Sequence, residues 1–269
     1  MKAWLLNVIR RVSRRLSSDR SDESRQKNMI DAEKVFSRNL LFWGRDKQQA
    51  LAEARVLVAG VGGLGCTVAH ILVRAGVGEL ILLDNGIIDE PDLNRQVLYS
   101  EKDLGRAKVE IAAEKLSAIH GHSILIPIQK TLEDDAELFT ELLGYRFHGI
   151  ADCLDTFSSR FVLEKLLPEG SFLVNAGVQD DYGQITTIKK TITPSLQDLY
   201  AHINDPVSPV PVCPQVVSCI ATLQAHEVIN NLWGTPQLLN TFLIIELADF
   251  TFSKIQLNGR HQRRAASRL

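Results

Sequence analysis

Short apolar runs and helical stretches alternate along most of this chain. "ARVLVAG" (54–60) is a short β-rich run ending in glycine, the pattern of a buried parallel strand. "ELILLD" (79–84) repeats it. Between the two, Val68, Ile71, Leu72 and Ala75 recur at helical spacing and stop near Gly76, where glycine permits a left-handed helix end. The alternation goes on with a helix over about 103–119, "SILIPIQ" as strand, "EDDAELFTELLG" as helix, "HGIADCLD" as strand and "RFVLEKLL" as helix. "SFLVNAGV" and "GQITTIKK" follow as strands. Residues 31–53 read as mostly helical, with a break at Gly44. After residue 190 the pattern loosens into a proline-rich loop, "DPVSPVPVCP". A long helix, "QVVSCIATLQAHEVINNLWG", and two late antiparallel strands in "TFLIIELADFTFSKIQL" complete it. The pattern predicts an α/β fold with a doubly wound, mostly parallel Rossmann-like sheet, right-handed crossovers and late antiparallel strands.

The chain ends differ from this body. Residues 31–258 form the expected folded unit, between a basic arm over 1–30 and a basic tail over 259–269. In "MKAWLLNVIRRVSRRL", Trp4, Leu5, Val8, Ile9, Val12 and Leu16 share one helical face, and Arg10, Arg11, Arg14 and Arg15 fall mostly on the other. That pattern suits a membrane-surface helix. A disordered basic arm, or residues ahead of a start at Met29, is the preferred expectation. The segment is too short and too charged to span a bilayer and lacks a signal-peptide cleavage site. "SSDRSDESRQKN" has the composition of a disordered linker.

Composition narrows the class. Of 269 residues, 45% are hydrophobic and 23% charged, with a net charge of −2, so no global field argues for nucleic acid. The four cysteines, Cys66, Cys153, Cys213 and Cys219, include no CxxC pair. They point away from a disulfide framework and a zinc site, and fit a reducing cytoplasm. Among the histidines, His70 and His226 fall on helices and His120 and His122 bracket a turn, without metal-ligand spacing.

Chemistry concentrates at strand ends. Gly60, Gly62 and Gly65, with Gly63 between them, form G-x-G-x-x-G on a strand-to-helix turn. Such a turn brings backbone close to a phosphate and aims a helix N-terminus at it. Asp84, at the end of the second strand, can accept from ribose hydroxyls. No Walker-type lysine follows the turn. A dinucleotide needs little more, whereas a triphosphate attacked at its α-phosphorus needs cations along the chain and a carboxylate for magnesium. "DLNRQVLYSEKDLGRAKVE" supplies Arg95 and Lys108, "DCLDTFSSR" supplies Asp152, Asp155 and Arg160, and "FSRN" supplies Arg38. Each has an ordinary alternative: Arg95 and Lys108 as solvated charges, Asp155 as a helix N-cap. Their joint occurrence at successive strand ends favours ATP.

These segments, together with "GVGELILLDNG" and "TLQAHEVI", resemble the ThiF/MoeB/HesA branch of the ubiquitin-activating-type adenylyltransferases over residues 33–233. The resemblance implies that the glycine turn, Asp84 and Asn94 hold ATP and that Arg95 and Lys108 contact its phosphates. It implies that Asp155 holds magnesium and that Arg38 reaches the phosphates, often from a partner subunit, so a homodimer is expected. The implied reaction is attack by a carboxylate on the α-phosphorus of ATP, with the C-terminal glycine of a ubiquitin-like sulfur-carrier protein as substrate. Two departures stand out. Asp92 occupies a position where the family commonly has Asn, and the paired CxxC motifs of many members are missing, so no zinc is expected. Cys213 is the sole plausible thiol for a later step, and Cys219 reads as core. The competing functions are an NAD-dependent oxidoreductase, which would leave Arg38, Lys108 and Asp155 without a task, and a catalytically silent nucleotide-binding scaffold.

Overall fold

A computed structural model describes residues 30–257; the expectations for the arm, the linker and the basic tail lie outside those residues. Helices α1 (Ala32–Val35) and α2 (Ser37–Glu53) precede β1 (Arg55–Ala59), α3 (Gly63–Ala75), β2 (Glu79–Leu83), α4 (Lys108–Ser117) and β3 (Ile124–Ile128). Then come α5 (Ala136–Gly144), β4 (Gly149–Asp152), α6 (Phe157–Leu166), β5 (Phe172–Gln179) and β6 (Tyr182–Ile188). The described chain closes with α7 (Leu196–Tyr200), α8 (Pro214–Leu232), β7 (Thr241–Glu246) and β8 (Thr251–Gln256).

The strands form one sheet in the order β3-β2-β1-β4-β5-β6-β7-β8. β1 pairs in parallel with β2 and with β4, β2 with β3, and β4 with β5. β6, β7 and β8 then add as antiparallel neighbours. The expected doubly wound sheet with late antiparallel strands is therefore the observed one. Strand order reverses between β1 and β4, and folds of this kind bind ligands beyond the carboxyl ends of strands at such a switch. The glycine turn follows β1 and the Asp155 loop follows β4.

Period-two alternation explains why the first strand is apolar after Arg55. Val56 and Val58 face the core under α3, α4 and α8, while Leu57 and Ala59 face the core under α5, α6 and α7. Gly44 interrupts α2 with φ 80° as expected, and Gly76 ends α3 in the left-handed region. Two local expectations need correction. The helix expected over 103–119 is a short 3-10 turn (Glu101–Asp103) and then α4, separated at Gly105 by a φ of 78°. That break makes Lys108 the first residue of α4, at the carboxyl end of the sheet. The loosened stretch after residue 190 also contains α7, whose Ser195–Asp198 capping box the sequence reading passed over.

Candidate nucleotide site

Steric demands on the glycines divide the turn into closed and open parts. A Cβ on Gly65 would lie 1.9 Å from the Gly60 carbonyl oxygen, and one on Gly60, whose φ is +86°, would lie 2.7 Å from that of Cys153. These two glycines let the turn close on itself and on the loop after β4. A Cβ on Gly62 would meet nothing nearer than Gln96 Nε2 at 3.8 Å, so that side stays open for a ligand. Gly62 is the N-cap of α3 and makes no side-chain cap bond, leaving the first N–H groups of that helix available to an anion. Val61 fixes the loop. Its N–H donates to Asp84 Oδ2 at 2.7 Å, and its carbonyl accepts from Tyr99 Oη at 2.8 Å and Cys66 Sγ at 3.2 Å. Burial pushes the Cys66 thiol up to about 12, so it stays protonated as a strut and is no nucleophile.

The basic flank is tied together by a carboxylate. The stem of Arg95 packs on Gly63, its Cγ 3.6 Å from where a Cβ would be, and the stem of Lys108 crosses Gly86 in the same way at 3.2 Å. Asp92 lies between the two head groups, 8% exposed. Its Oδ2 is 3.0 Å from Lys108 Nζ, and its Oδ1 is 3.9 Å from Arg95 Nη2. Gln96 Nε2 donates to Asp92 Oδ1 at 2.5 Å, and the Asp89 N–H donates to Oδ2 at 3.2 Å. Arg95 also donates to the Pro91 carbonyl at 2.7 Å and to Asn94 Oδ1 at 2.9 Å. Asp84 receives the Gly86 N–H on Oδ1 at 2.7 Å; each of its oxygens then keeps a lone pair for a further donor. Gln96 escaped the sequence reading, although it sits in the quoted "LNRQ". Its Oε1 is buried without a partner.

The acidic flank is held from behind. Fully buried Asp152 accepts from Asn175 Nδ2 at 2.7 Å and from the Leu154 N–H at 3.2 Å. Burial pushes its carboxyl above the usual carboxylate range, against the pull of Arg160. Arg160 donates to the Leu154 carbonyl at 2.5 Å, so this guanidinium pins the loop and is 6% exposed. Gln224, another residue the sequence reading passed over, donates to the carbonyls of Asp152 and Val174 at 2.8 and 3.0 Å. Asp155 itself is exposed and makes no hydrogen bond or ion pair among the described residues. The alternative of a helix cap fails: the N-cap of α6 is Thr156, and the Phe157 and Ser158 N–H groups donate to Asp205, at 2.5 and 3.1 Å.

Arg38 is not brought to this cluster. Its neighbour Asn39 donates to the Arg74 carbonyl, and Phe36 packs where a Cβ on Gly76 would be. Both contacts lie at the far end of α3, whose 13 residues span roughly 20 Å at 1.5 Å per residue. Arg38 is exposed there. Cys213, the N-cap of α8, is partly exposed and lies 3.8 Å from the Asp180 carbonyl. Cys219 is also partly exposed, so the expectation of a core cysteine needs correction: Ile220, the next residue on α8, takes the fully buried position.

A doubly wound sheet carries an open glycine turn at its switch point, the place where α/β domains of this class bind ligands. More narrowly, the chain belongs to the ThiF family, whose model matches residues 36–266. Molybdopterin-synthase adenylyltransferase of Escherichia coli is 32% identical over 210 residues, covering 74% of this chain and 82% of that protein. The enzyme of the same name from Salmonella typhimurium is 39% identical over 127 residues, 46% of this chain and 50% of that protein. Adenylyltransferase and sulfurtransferase MOCS3 of Xenopus laevis is 30% identical over 84% of this chain and 51% of its own length. The chain spans about half the length of most of these curated relatives. Among solved structures, Escherichia coli MccB superposes with a TM-score of 0.72 at 23% identity, over 84% of this chain and 70% of that one. PaaA gives 0.71 at 18%, over 95% and 90%; these likenesses establish the fold alone.

Proposed function

We propose that this chain is an ATP-dependent adenylyltransferase that activates a substrate carboxylate as an acyl-adenylate and releases pyrophosphate. The observation that carries this reading is the glycine turn set between Arg95 and Lys108 on one flank and unpaired Asp155 on the other. A dinucleotide would use the turn and leave those charges idle. A triphosphate uses all of them. The open side at Gly62 and the start of α3 receive phosphate, and Asp84 accepts from the ribose, with Asn94 at the edge. Arg95 and Lys108 then neutralise the charge that grows on the departing pyrophosphate, which is catalysis by placed charge and requires no enzyme nucleophile. The substrate oxygen bonds to the α-phosphorus as the bridging P–O bond breaks, and that electron pair leaves with pyrophosphate.

Asp155 fits magnesium when the nucleotide supplies the rest of the shell. No cluster of three or more acids, histidines or cysteines suited to a metal lies among the described residues, and magnesium commonly takes one or two carboxylates with phosphate oxygens and water. The substrate we assign is the C-terminal glycine of a ubiquitin-like sulfur carrier, in keeping with relatives named for molybdopterin synthase. We further assign a homodimer in which Arg38 crosses to the partner's site. Exposed Leu41 and Phe42, at 82% and 84%, stand beside it on α2 as an apolar contact surface. No described helix is long and apolar enough to cross a membrane, and the unpaired cysteines fit the cytoplasm.

Two measurements test this reading. ATP with magnesium raises the melting temperature and NAD does not; the added stability is about 2.7 kcal/mol at a hundredfold excess over the dissociation constant. Carrier-dependent exchange of labelled pyrophosphate into ATP then reports the adenylate itself. A shift with NAD alone reverses the cofactor assignment. ATP binding without exchange, across carriers and small carboxylates, leaves a silent scaffold.

A further inference from the structure

Within one chain, the charges around the turn do not favour a polyphosphate. Asp92 lies against both Arg95 and Lys108, Asp84 lies beside the Lys108 stem at Gly86, Asp155 adds a third carboxylate in the loop after β4, and Arg38 lies at the other end of α3. Asp92 is the unusual member. Asp155 is free for a metal, and Asp84 is used by backbone N–H groups of the turn and the following loop. The Asp92 carboxylate is instead buried against the two cations, at 3.0 Å from Lys108 and 3.9 Å from Arg95.

We infer that Asp92 is a built-in competitor of the nucleotide phosphates: it holds Lys108 and Arg95 in place while the site is empty and gives up part of that pairing to phosphate oxygens when nucleotide binds. This inference rests on the function proposed above. The geometry supplies both halves of an exchange. Lys108 Nζ reaches Asp92 along a stem lying over Gly86, beside Asp84, and an ammonium on a flexible stem can re-aim without backbone movement. Arg95, whose stem lies on Gly63, borders the turn. Gln96 and the Asp89 N–H also hold the carboxylate, so Asp92 keeps hydrogen-bonded partners after the cations turn away. The Asp92 carboxylate competes with every bound phosphate by like-charge repulsion and by occupying the cations that would bind it.

The consequence is a specificity rule for this chain. Asp92 penalises ligands in proportion to their phosphate charge and leaves the nucleoside end of the ligand untouched. It also makes the site depend on supplementary positive charge, from a metal or from Arg38.

The test measures binding of ATP, AMP and adenosine by calorimetry to the wild type, Asp92→Asn and Asp92→Ser. The titrations are run in EDTA at two salt concentrations, and the ATP titrations are repeated with magnesium. Asn and Ser each leave an oxygen for the Asp89 N–H, and both variants are checked by melting temperature, so one poorly folded variant does not decide the matter. The expected result is ATP binding about tenfold tighter in the variants, a smaller gain for AMP and none for adenosine. The fall in ATP affinity with salt should also steepen. ATP binding detected in a variant and not in the wild type supports the inference in its strongest form. Unchanged or weaker ATP binding in a folded variant, with wild-type binding intact, overturns it and makes Asp92 a strut that the cations require. If neither wild type nor variants bind ATP, with or without magnesium, the nucleotide reading itself fails and takes this inference with it. Equal gains for adenosine and ATP also overturn it, because charge is then not the cause.

Discussion

The two ends of the parallel sheet are built on opposite principles. At the amino end of the strands, space is filled. Gln48 is buried, donates to the Ala75 carbonyl at 2.9 Å and accepts from Trp43 at 3.0 Å. Phe36 meets His120 edge-on at 5.2 Å and His122 at 5.9 Å. At the carboxyl end, Gly62 faces open space, the start of α3 has no side-chain cap and Asp155 has no partner among the described residues. Packed aromatic and amide groups hold the helices that carry Arg38, and uncompensated polar groups await a ligand. The difference teaches that exposed, uncapped polarity around an open turn, and not a buried polar atom as such, marks the candidate site. It also leaves Arg38 at the wrong end for its own chain.

The largest effect expected from breaking that contrast is at Asp155. Asp155→Ala should lower pyrophosphate exchange by about 10³-fold while the melting temperature stays near wild type, because Asp205 takes the first N–H groups of α6. A mutant that exchanges well but melts early would return Asp155 to a structural role. Next comes Arg38. Arg38→Ala should lose about 10²-fold with no change in melting temperature. Mixing it with Asp155→Ala should restore about a quarter of wild-type activity, since half the dimers are mixed and each has one complete site. Failure of the mixture, with both proteins dimeric, removes the trans role.

A smaller effect separates the ends by pH. Burial holds both His120 and His122 below their ordinary value of 6.5, with a further push from each other for His122 and from Arg74 for His120. The unfolded chain therefore binds more protons than the folded one as pH falls through 6.5. Stability is fully present above that value and declines below it, towards the lowered folded-state values. The melting temperature should drop between pH 7 and pH 5, and His122→Gln should flatten the drop. His122 is the better target because its Nε2 is buried without a partner, while His120 Nε2 meets the Val73 carbonyl at 2.9 Å. An unaltered pH profile would show that the filled end is insensitive to these imidazoles.

Much of this was legible in the sequence, for physical reasons. The alternation of apolar runs with helical periodicity encodes the sheet because each parallel strand must bury both faces. The glycine spacing encodes the turn because Gly60 and Gly65 cannot carry a Cβ. What was not legible depends on contacts between distant segments. Asp205 caps a helix 47 residues earlier in the chain, which a local reading gives to Asp155. Asp92 was visible only as an unexpected charge. Its position between Lys108 and Arg95 depends on how the 3-10 turn and the break at Gly105 fold over the carboxyl end. Gln224 and Arg160 act through backbone carbonyls, which no side-chain pattern announces.

The smallest expected effect is at Cys213, and its smallness is informative. Cys213 occupies the N-cap position of a helix whose next turn touches the glycine loop: Val217 Cγ1 lies 3.0 Å from where a Cβ on Gly63 would be. One helical turn is about 5 Å, so Cys213 stands near the chemistry, partly exposed at the working end. Proximity alone would recommend it as a nucleophile. The proposed reaction gives it no task, because the substrate oxygen attacks phosphorus directly and the leaving group departs as pyrophosphate. Cys213→Ala should therefore leave exchange and the melting temperature at wild-type values, as the bond from Sγ to the Asp180 carbonyl is long, at 3.8 Å. Loss of exchange in a folded Cys213→Ala protein would overturn the thiol-free mechanism and move the first covalent step onto sulfur. If exchange survives but transfer from the adenylate to a sulfur acceptor is lost, the cysteine belongs to a later step and the adenylation scheme stands.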